Sequence, residues 1–503
     1  MSDAGIALGV MAAALLTAFA LSLRSRGARS LEQWTVASRG FGSALIFVLL
    51  AGEIYTTFTF LGGSGWAYAR GAPAYYIIGY AAVAYTASYW LLPAIWRRGT
   101  RWQVISQPEY FARAFHSAWF GTVVALVGCL ALMPYLVLQL KGLGILVSES
   151  SYGRIGSEAA ILIGMLATVV YVVIAGVRGS ALTAAMKDLL VLVTVVGLGI
   201  ALPNALHGGI GPMFDTLIAQ RPDFFVLPTT GMSGTWFTST ILMTVFGFYM
   251  WPHTFGSLFT ARSDESFRRN AVLMPLYQTV LLFVFFIGFA AITAVPGLTG
   301  TDVDLSLLRV TRQTYGPWVM GLVGAAGLLT ALVPGSLILL TMATILSRLV
   351  MRARATDPQA QTSQTTERET EGETAREMLL ARLMVPLVAA IALVFVFRAE
   401  QTLVTLLLFA YAIVTQLFPA VLVSLWWPHR AHAVAAFAGI VIGVGVVVWS
   451  TVAGVTTASL FPGLPSAIAD INNGVLALAL NVLVLGAISA WLPARSPGDA
   501  SGD

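Results

Sequence analysis

Residues 47–71 read FVLLAGEIYTTFTFLGGSGWAYARG, and the reading of this stretch decides the fold. It is apolar enough to cross a bilayer, yet it holds Glu53 near its middle, hydroxyls at Thr56, Thr57 and Thr59, and helix-weakening Gly52, Gly62, Gly63 and Gly65. A carboxylate at the bilayer centre costs roughly 2.5 to 3.5 kcal/mol on insertion scales, so it faces protein or a water-filled cavity. Backbone carbonyls freed by a loosened helix are tolerated in a membrane only where they line such a cavity or are buried in protein. The pattern therefore points to a discontinuous helix at a midplane site for a cation or polar solute. A packed helix with a small-residue face and a buried, protonated Glu53 is the plainer alternative.

The surrounding chain makes this a membrane protein. Of 503 residues, 57% are hydrophobic and 10% charged, and the mean hydropathy is +0.82, far from soluble composition. The net charge of +5 does not imply a nucleic-acid partner, because the basic residues lie between apolar spans rather than in one patch. Cys129 is the only cysteine, which excludes an intrachain disulfide and a cysteine metal cluster. No cofactor or metal centre is expected.

Apolar runs predict about thirteen spans, near 5–23, 41–65, 73–96, 117–147, 158–177, 182–203, 235–257, 272–295, 317–348, 379–397, 402–425, 432–454 and 471–492. The first lacks a basic flank in MSDAG and is read as a retained span. Arg24, Arg26, Arg29 and Arg39 follow it, and Arg97, Arg98, Arg101, Arg113, Arg262, Arg268 and Arg269 fall in alternate loops. The arginine-rich side is the cytoplasmic one, which puts the N-terminus outside and the C-terminus inside the plasma membrane. Ser106 and Glu109 have capping-box spacing with Pro108 in the first turn, so a short surface helix should start there. The outer stretch 204–234, rich in Gly, Pro and aromatics, reads as a long loop near the external mouth. The polar stretch 351–378 reads as a flexible linker, and 493–503 as a disordered tail.

The seventh span is interrupted like the second, at Gly247 and Pro252. Paired interruptions at corresponding positions signal an inverted-repeat transporter. The domain reading is an extra helix in 1–30, a first five-helix repeat in 41–203, a second in 235–425, and two further helices in 432–492.

Several stretches resemble the sodium:solute symporter family, most of all its monocarboxylate permease branch. LLAGEIYTTFTF, SQPEYFARAF, LMPYLVLQLKG, VRGSALTAAMKDLL and WPHTFG with RRN downstream are similar to that branch in order and spacing. The resemblance implies an all-α LeuT-type core of ten helices, alternating access, and solute uptake coupled to H+ or Na+. Sodium-using members hold the ion between first-core-helix carbonyls, here near Gly52 and Tyr55, and a Ser/Thr pair on the eighth core helix. That pair falls on Leu339 and Leu340, with Ser336 upstream and Thr341 following, or in a shifted register on Leu329 and Thr330, so that at least one expected oxygen ligand is a leucine either way. Leucine cannot coordinate sodium, so the usual site is degraded.

Glu53 is then the leading coupling group, since a carboxyl in a partly dry cavity is able to exchange a proton as access alternates. A buried ion pair with Lys141 is the competing role. Lys141 itself reads either as a counter-charge for a carboxylate substrate or as an ammonium reaching the outer interface. The candidate substrate residues are Glu53, Thr56, Thr57, Phe58, Lys141, Tyr249 and His253; the candidate cation-coupling residues are Gly52, Glu53, Tyr55, Asp188, Ser336 and Thr341. Asp188 lies by resemblance on the cation exit route, or anchors an interface with Lys187. His253 reads first as a hydrogen-bonded core residue on an aromatic face, with a titrating group in the second broken helix as the other reading. Partners are a small solute, the coupling cation and lipid. A solute sensor without net transport is the alternative function; no catalytic constellation for an enzyme stands at helical spacing.

Overall fold

The computed structural model describes residues 2–23, 30–355 and 367–494. Arg24, Arg26 and Arg29, the middle of the expected linker and most of the expected tail lie outside the described residues. Helices make up the architecture; among the described residues the only strand-like pairing is an isolated parallel bridge between Phe41 and Ala261. Among the described residues, ten helices are long and apolar enough to cross a membrane, against thirteen spans read from the sequence. The other three expected spans correspond to two interrupted helices and to Tyr76–Arg101. A break shortens each uninterrupted segment, which is why a length criterion passes over the interrupted pair.

Local sequence sets the helix ends. Ser117 caps Ala118–Ser150 by accepting from the Phe120 N–H at 3.4 Å, and Thr402 caps Leu403–Val414 by accepting from Thr405 at 3.3 Å. Spans five and six form one helical run, Ser157–His207, bent at Gly176, whose φ of 57° and ψ of −167° interrupt the helix. The side chain of Trp34 lies against that bend, where a Cβ would come within 2.5 Å of it.

Pro317–Ala355 is the central helix, buried almost throughout, and packs against Ala118–Ser150, Ser157–His207 and Asp3–Leu23. Large apolar side chains such as Leu126, Leu166, Leu276 and Leu483 are exposed on the outer faces, as lipid contact demands. Ala433–Val452 and Asn473–Trp491 pack together at the periphery, where Asn481 donates to the Gln416 carbonyl at 2.8 Å.

Three local expectations change. The helix Gln107–Ala114 does begin after Ser106, but Glu109 reaches the N–H of Ile105, at 3.0 Å, instead of completing a capping box. It is no surface helix: Tyr110 and Phe111 are fully buried, and Gln107 is pulled inward to donate to the Met250 carbonyl at 2.7 Å. The stretch read as an outer loop contains the helix Ile210–Gln220. Helix also enters the stretch read as linker, running to Ala355 on one side and from Glu367 on the other.

Candidate substrate and ion site

The first broken helix runs Ser43–Gly52, opens over residues 53–56, and resumes through a wide π-type turn, Phe58–Gly62, into Gly63–Arg70. The freed backbone groups are accounted for one by one. Tyr85 donates its hydroxyl to the Leu50 carbonyl at 3.4 Å. The Thr59 hydroxyl donates to the Ile54 carbonyl at 2.7 Å and accepts from the Thr56 N–H at 3.1 Å, while the Thr56 hydroxyl accepts from the Phe58 N–H at 3.2 Å. The hydroxyl ladder is thus what holds the open segment in shape. Thr57 points the other way and donates to Gln139 Oε1 at 2.8 Å.

The second broken helix runs Gly234–Gly247, opens over residues 248–251, and resumes at Pro252–Leu258. Pro at the first position of a resumed helix wastes no N–H. Its loosened carbonyls are taken by Thr415, which donates to Met243 at 2.8 Å, and by Gln107 at Met250.

Glu53 joins the two breaks. Its Oε2 accepts from the Thr254 hydroxyl at 2.5 Å and its Oε1 from the Ser257 hydroxyl at 3.2 Å. Thr254 and Ser257 stand three residues apart, hence on one face of Pro252–Leu258. Sequence reasoning missed both, although that spacing beside WPH was a readable signal. Around the carboxylate, Tyr85, Tyr135, Tyr249 and Tyr411 stand near enough to interact with its charge. Trp251 packs its ring 5.0 Å from Tyr135 and 5.0 Å from Tyr411, and Phe248 lies against Tyr85 at 5.4 Å. His253 is buried 5.6 Å from the Tyr135 ring. A cavity of about 30 Å³, roughly room for one water, is lined by His253, Ser257, Leu340 and Thr341, one hydrogen bond from Glu53.

A second charge cluster lies on the other side of the first break. Lys187, fully buried, donates from Nζ to the carbonyls of Gly52 at 2.5 Å and Tyr55 at 2.9 Å, and pairs with Asp188 Oδ1 at 3.2 Å. The sequence showed Lys187 only as half of a Lys-Asp dipeptide; nothing local announced that its ammonium crosses to the broken helix. The Tyr55 hydroxyl donates to the Tyr277 carbonyl at 3.0 Å. Ser336 donates to its own Val333 carbonyl at 2.6 Å and lies 2.9 Å from Ser180; Leu339 and Leu340 are buried.

The structure thus brings Gly52, Glu53, Tyr55, Thr56, Thr57, Phe58, Tyr249, His253, Asp188 and Thr341 around the two breaks. Lys141 is not among them and does not pair with Glu53. Its ammonium donates to the Ala399 and Gln401 carbonyls at 3.3 and 2.7 Å, beside fully buried Asp304, which accepts from the Leu403 N–H at 3.0 Å.

Asp304 lies in the connecting segment Gly300–Leu305. Burial pushes its carboxyl up to about 7, against the opposing pull of the Leu403 N–H and the Lys141 charge. An acid that keeps its proton to higher pH when folded than when unfolded stabilises the fold at low pH. That contribution, no more than about 4 kcal/mol, fades as pH rises from about 4 towards neutrality. Thermal melts should therefore show wild type losing stability across this window relative to Asp304→Asn, which keeps the acceptor but does not ionise; parallel pH profiles would refute the assignment.

Comparison with known proteins places the chain in a family and a fold. The sodium:solute symporter family model matches residues 34–443. An uncharacterized symporter of Bacillus subtilis, YhjB, is 48% identical over 499 residues, covering 99% of both chains. A monocarboxylate transport permease protein of Rhizobium johnstonii is 26% identical over 474 residues, covering 93% of this chain and 92% of its own. In architecture, a Na+-coupled sialic acid symporter in a substrate-bound outward-open state superposes with a TM-score of 0.76 at 16% identity, covering 98% of each chain. The architecture is that of a LeuT-type symporter fold, and with a family model spanning most of its length, the chain belongs to the sodium:solute symporter family.

Proposed function

We propose that this symporter moves a small organic acid, a short monocarboxylate, across the plasma membrane by alternating access coupled to a gradient of H+ or Na+. One observation carries the reading: Glu53, seated in the first break, is held by Thr254 and Ser257 of the second. A polar group shared between two discontinuous helices is placed to sense both solute and access. The aromatic walls from Tyr135, Phe248, Trp251 and Tyr411 suit a compact apolar body, and the Tyr249 hydroxyl and the Gln139 amide offer donors to a carboxylate. The permease name of the Rhizobium relative supports the acid as substrate class. The moving parts would be the repeats 41–203 and 235–425, with the N-terminus outside and the C-terminus cytoplasmic, as the arginine distribution favours.

Uptake of labelled short monocarboxylates into proteoliposomes, with pH and sodium gradients imposed separately, tests the reading. Accumulation above the solute's own gradient is expected under at least one of them. Its absence for every short acid, under both gradients, would refute the substrate class.

A further inference from the structure

We propose that Lys187 is a tethered cation standing where a sodium ion would sit, so that this chain binds no Na+ at its first broken helix. The inference rests on the symporter reading above and concerns which ion that site admits.

An ammonium has three donors and no acceptor. Lys187 donates to the Gly52 carbonyl at 2.5 Å and the Tyr55 carbonyl at 2.9 Å, and its charge is paired with Asp188 Oδ1 at 3.2 Å. The two carbonyls belong to the end of Ser43–Gly52 and the opening after it, where a helix leaves acceptors unpaired and its dipole favours positive charge. Any free cation drawn to this terminus meets those same two oxygens already engaged. The packing there is close: a Cβ on residue 52 would stand 3.4 Å from Lys187 Nζ and 3.3 Å from Ala184 Cβ, so the ammonium lies directly against the backbone of residue 52.

Among the described residues, the expected ligand positions offer few oxygens, and the Asp188 carboxylate is already paired with the ammonium. A hard cation requires several oxygen ligands, but Leu339 and Leu340 present hydrocarbon, and the nearby hydroxyl of Ser336 is committed to Val333 and Ser180. Asp188, adjacent to Lys187 in the chain, neutralises the ammonium within the same buried cluster. A fully buried lysine donating to two carbonyls and paired with a neighbouring carboxylate has a fixed position, which a solute ion in exchange with water does not. Lys187 therefore holds the open segment ordered and leaves ion coupling to other groups.

Two measurements on the full-length purified protein separate this from the symporter reading. The melting temperature in detergent is compared in sodium and potassium chloride at matched ionic strength, which needs no known substrate. The two salts are expected to give the same value; selective stabilisation by sodium that saturates would overturn the proposal even if no solute is ever found. Uptake is then compared with sodium replaced by potassium or choline at a fixed pH gradient. Equal rates are expected, and a sodium requirement would overturn it. Lys187→Met, which keeps the stem and removes the charge, should lower uptake about tenfold or more; a folded variant transporting at the wild-type rate would refute the role, while the salt comparison on wild type stands if the variant does not fold.

Discussion

Glu53→Gln should abolish gradient-driven accumulation while the protein still folds. The amide matches the carboxylate in size and keeps one oxygen for the Thr254 and Ser257 hydroxyls, so the contact between the two breaks is weakened rather than removed. What disappears is the capacity to carry or lose a charge between two helices that move relative to each other. At one proton per solute, each unit of pH gradient supports about tenfold accumulation, and the variant should fall to simple equilibration. Counterflow exchange, which needs no net coupling, should persist. Accumulation like wild type would remove Glu53 from the mechanism and return it to the packed-carboxyl reading.

The second large effect is on assembly. Gly288, in Leu281–Ala294, lies so close to the first broken helix that a Cβ would stand 2.3 Å from the Ser64 carbonyl oxygen and 3.0 Å from Ala67 Cβ. The obstacle is backbone, which cannot swing aside as a side chain would. Gly288→Val should cost about 1–3 kcal/mol or more by overpacking and appear as reduced monodisperse yield and a lowered melting temperature. An unchanged melting temperature would show that the two helices are free to separate there. The alteration should leave cation selectivity alone, because Lys187 and its carbonyl partners lie elsewhere on the broken helix.

These two residues also mark what the sequence discloses. The break at Glu53 is legible because it is written locally: a carboxylate, three threonines and flanking glycines within an apolar run do not suit a regular helix facing lipid. The same holds at Gly247 and Pro252. Thr254 and Ser257 needed one more step, the question of which hydroxyls share a face with the interruption. Lys187 was not legible, since its partners Gly52 and Tyr55 lie more than a hundred residues away in sequence and a Lys-Asp pair in a span looks the same when it anchors an interface. Lys141 had two readings, a site counter-charge or an ammonium carried outward on its stem, and the structure shows it on the Ala399 and Gln401 carbonyls, away from Glu53. Helix Gln107–Ala114 shows the limit of capping patterns: they place an N-terminus well and say nothing about which face is covered.

The Phe41–Ala261 bridge fastens the entrance of one broken helix to the exit of the other through main-chain groups alone: Phe41 donates to Thr260 and accepts from Arg262, each at 2.9 Å. Such a clasp is made of main-chain groups, so it couples the two halves without help from side-chain hydrogen bonds, while the buried Phe41 and Ala261 side chains pack in the core. Proline at 41 or 262 would break it, because it lacks the N–H that the clasp is made of.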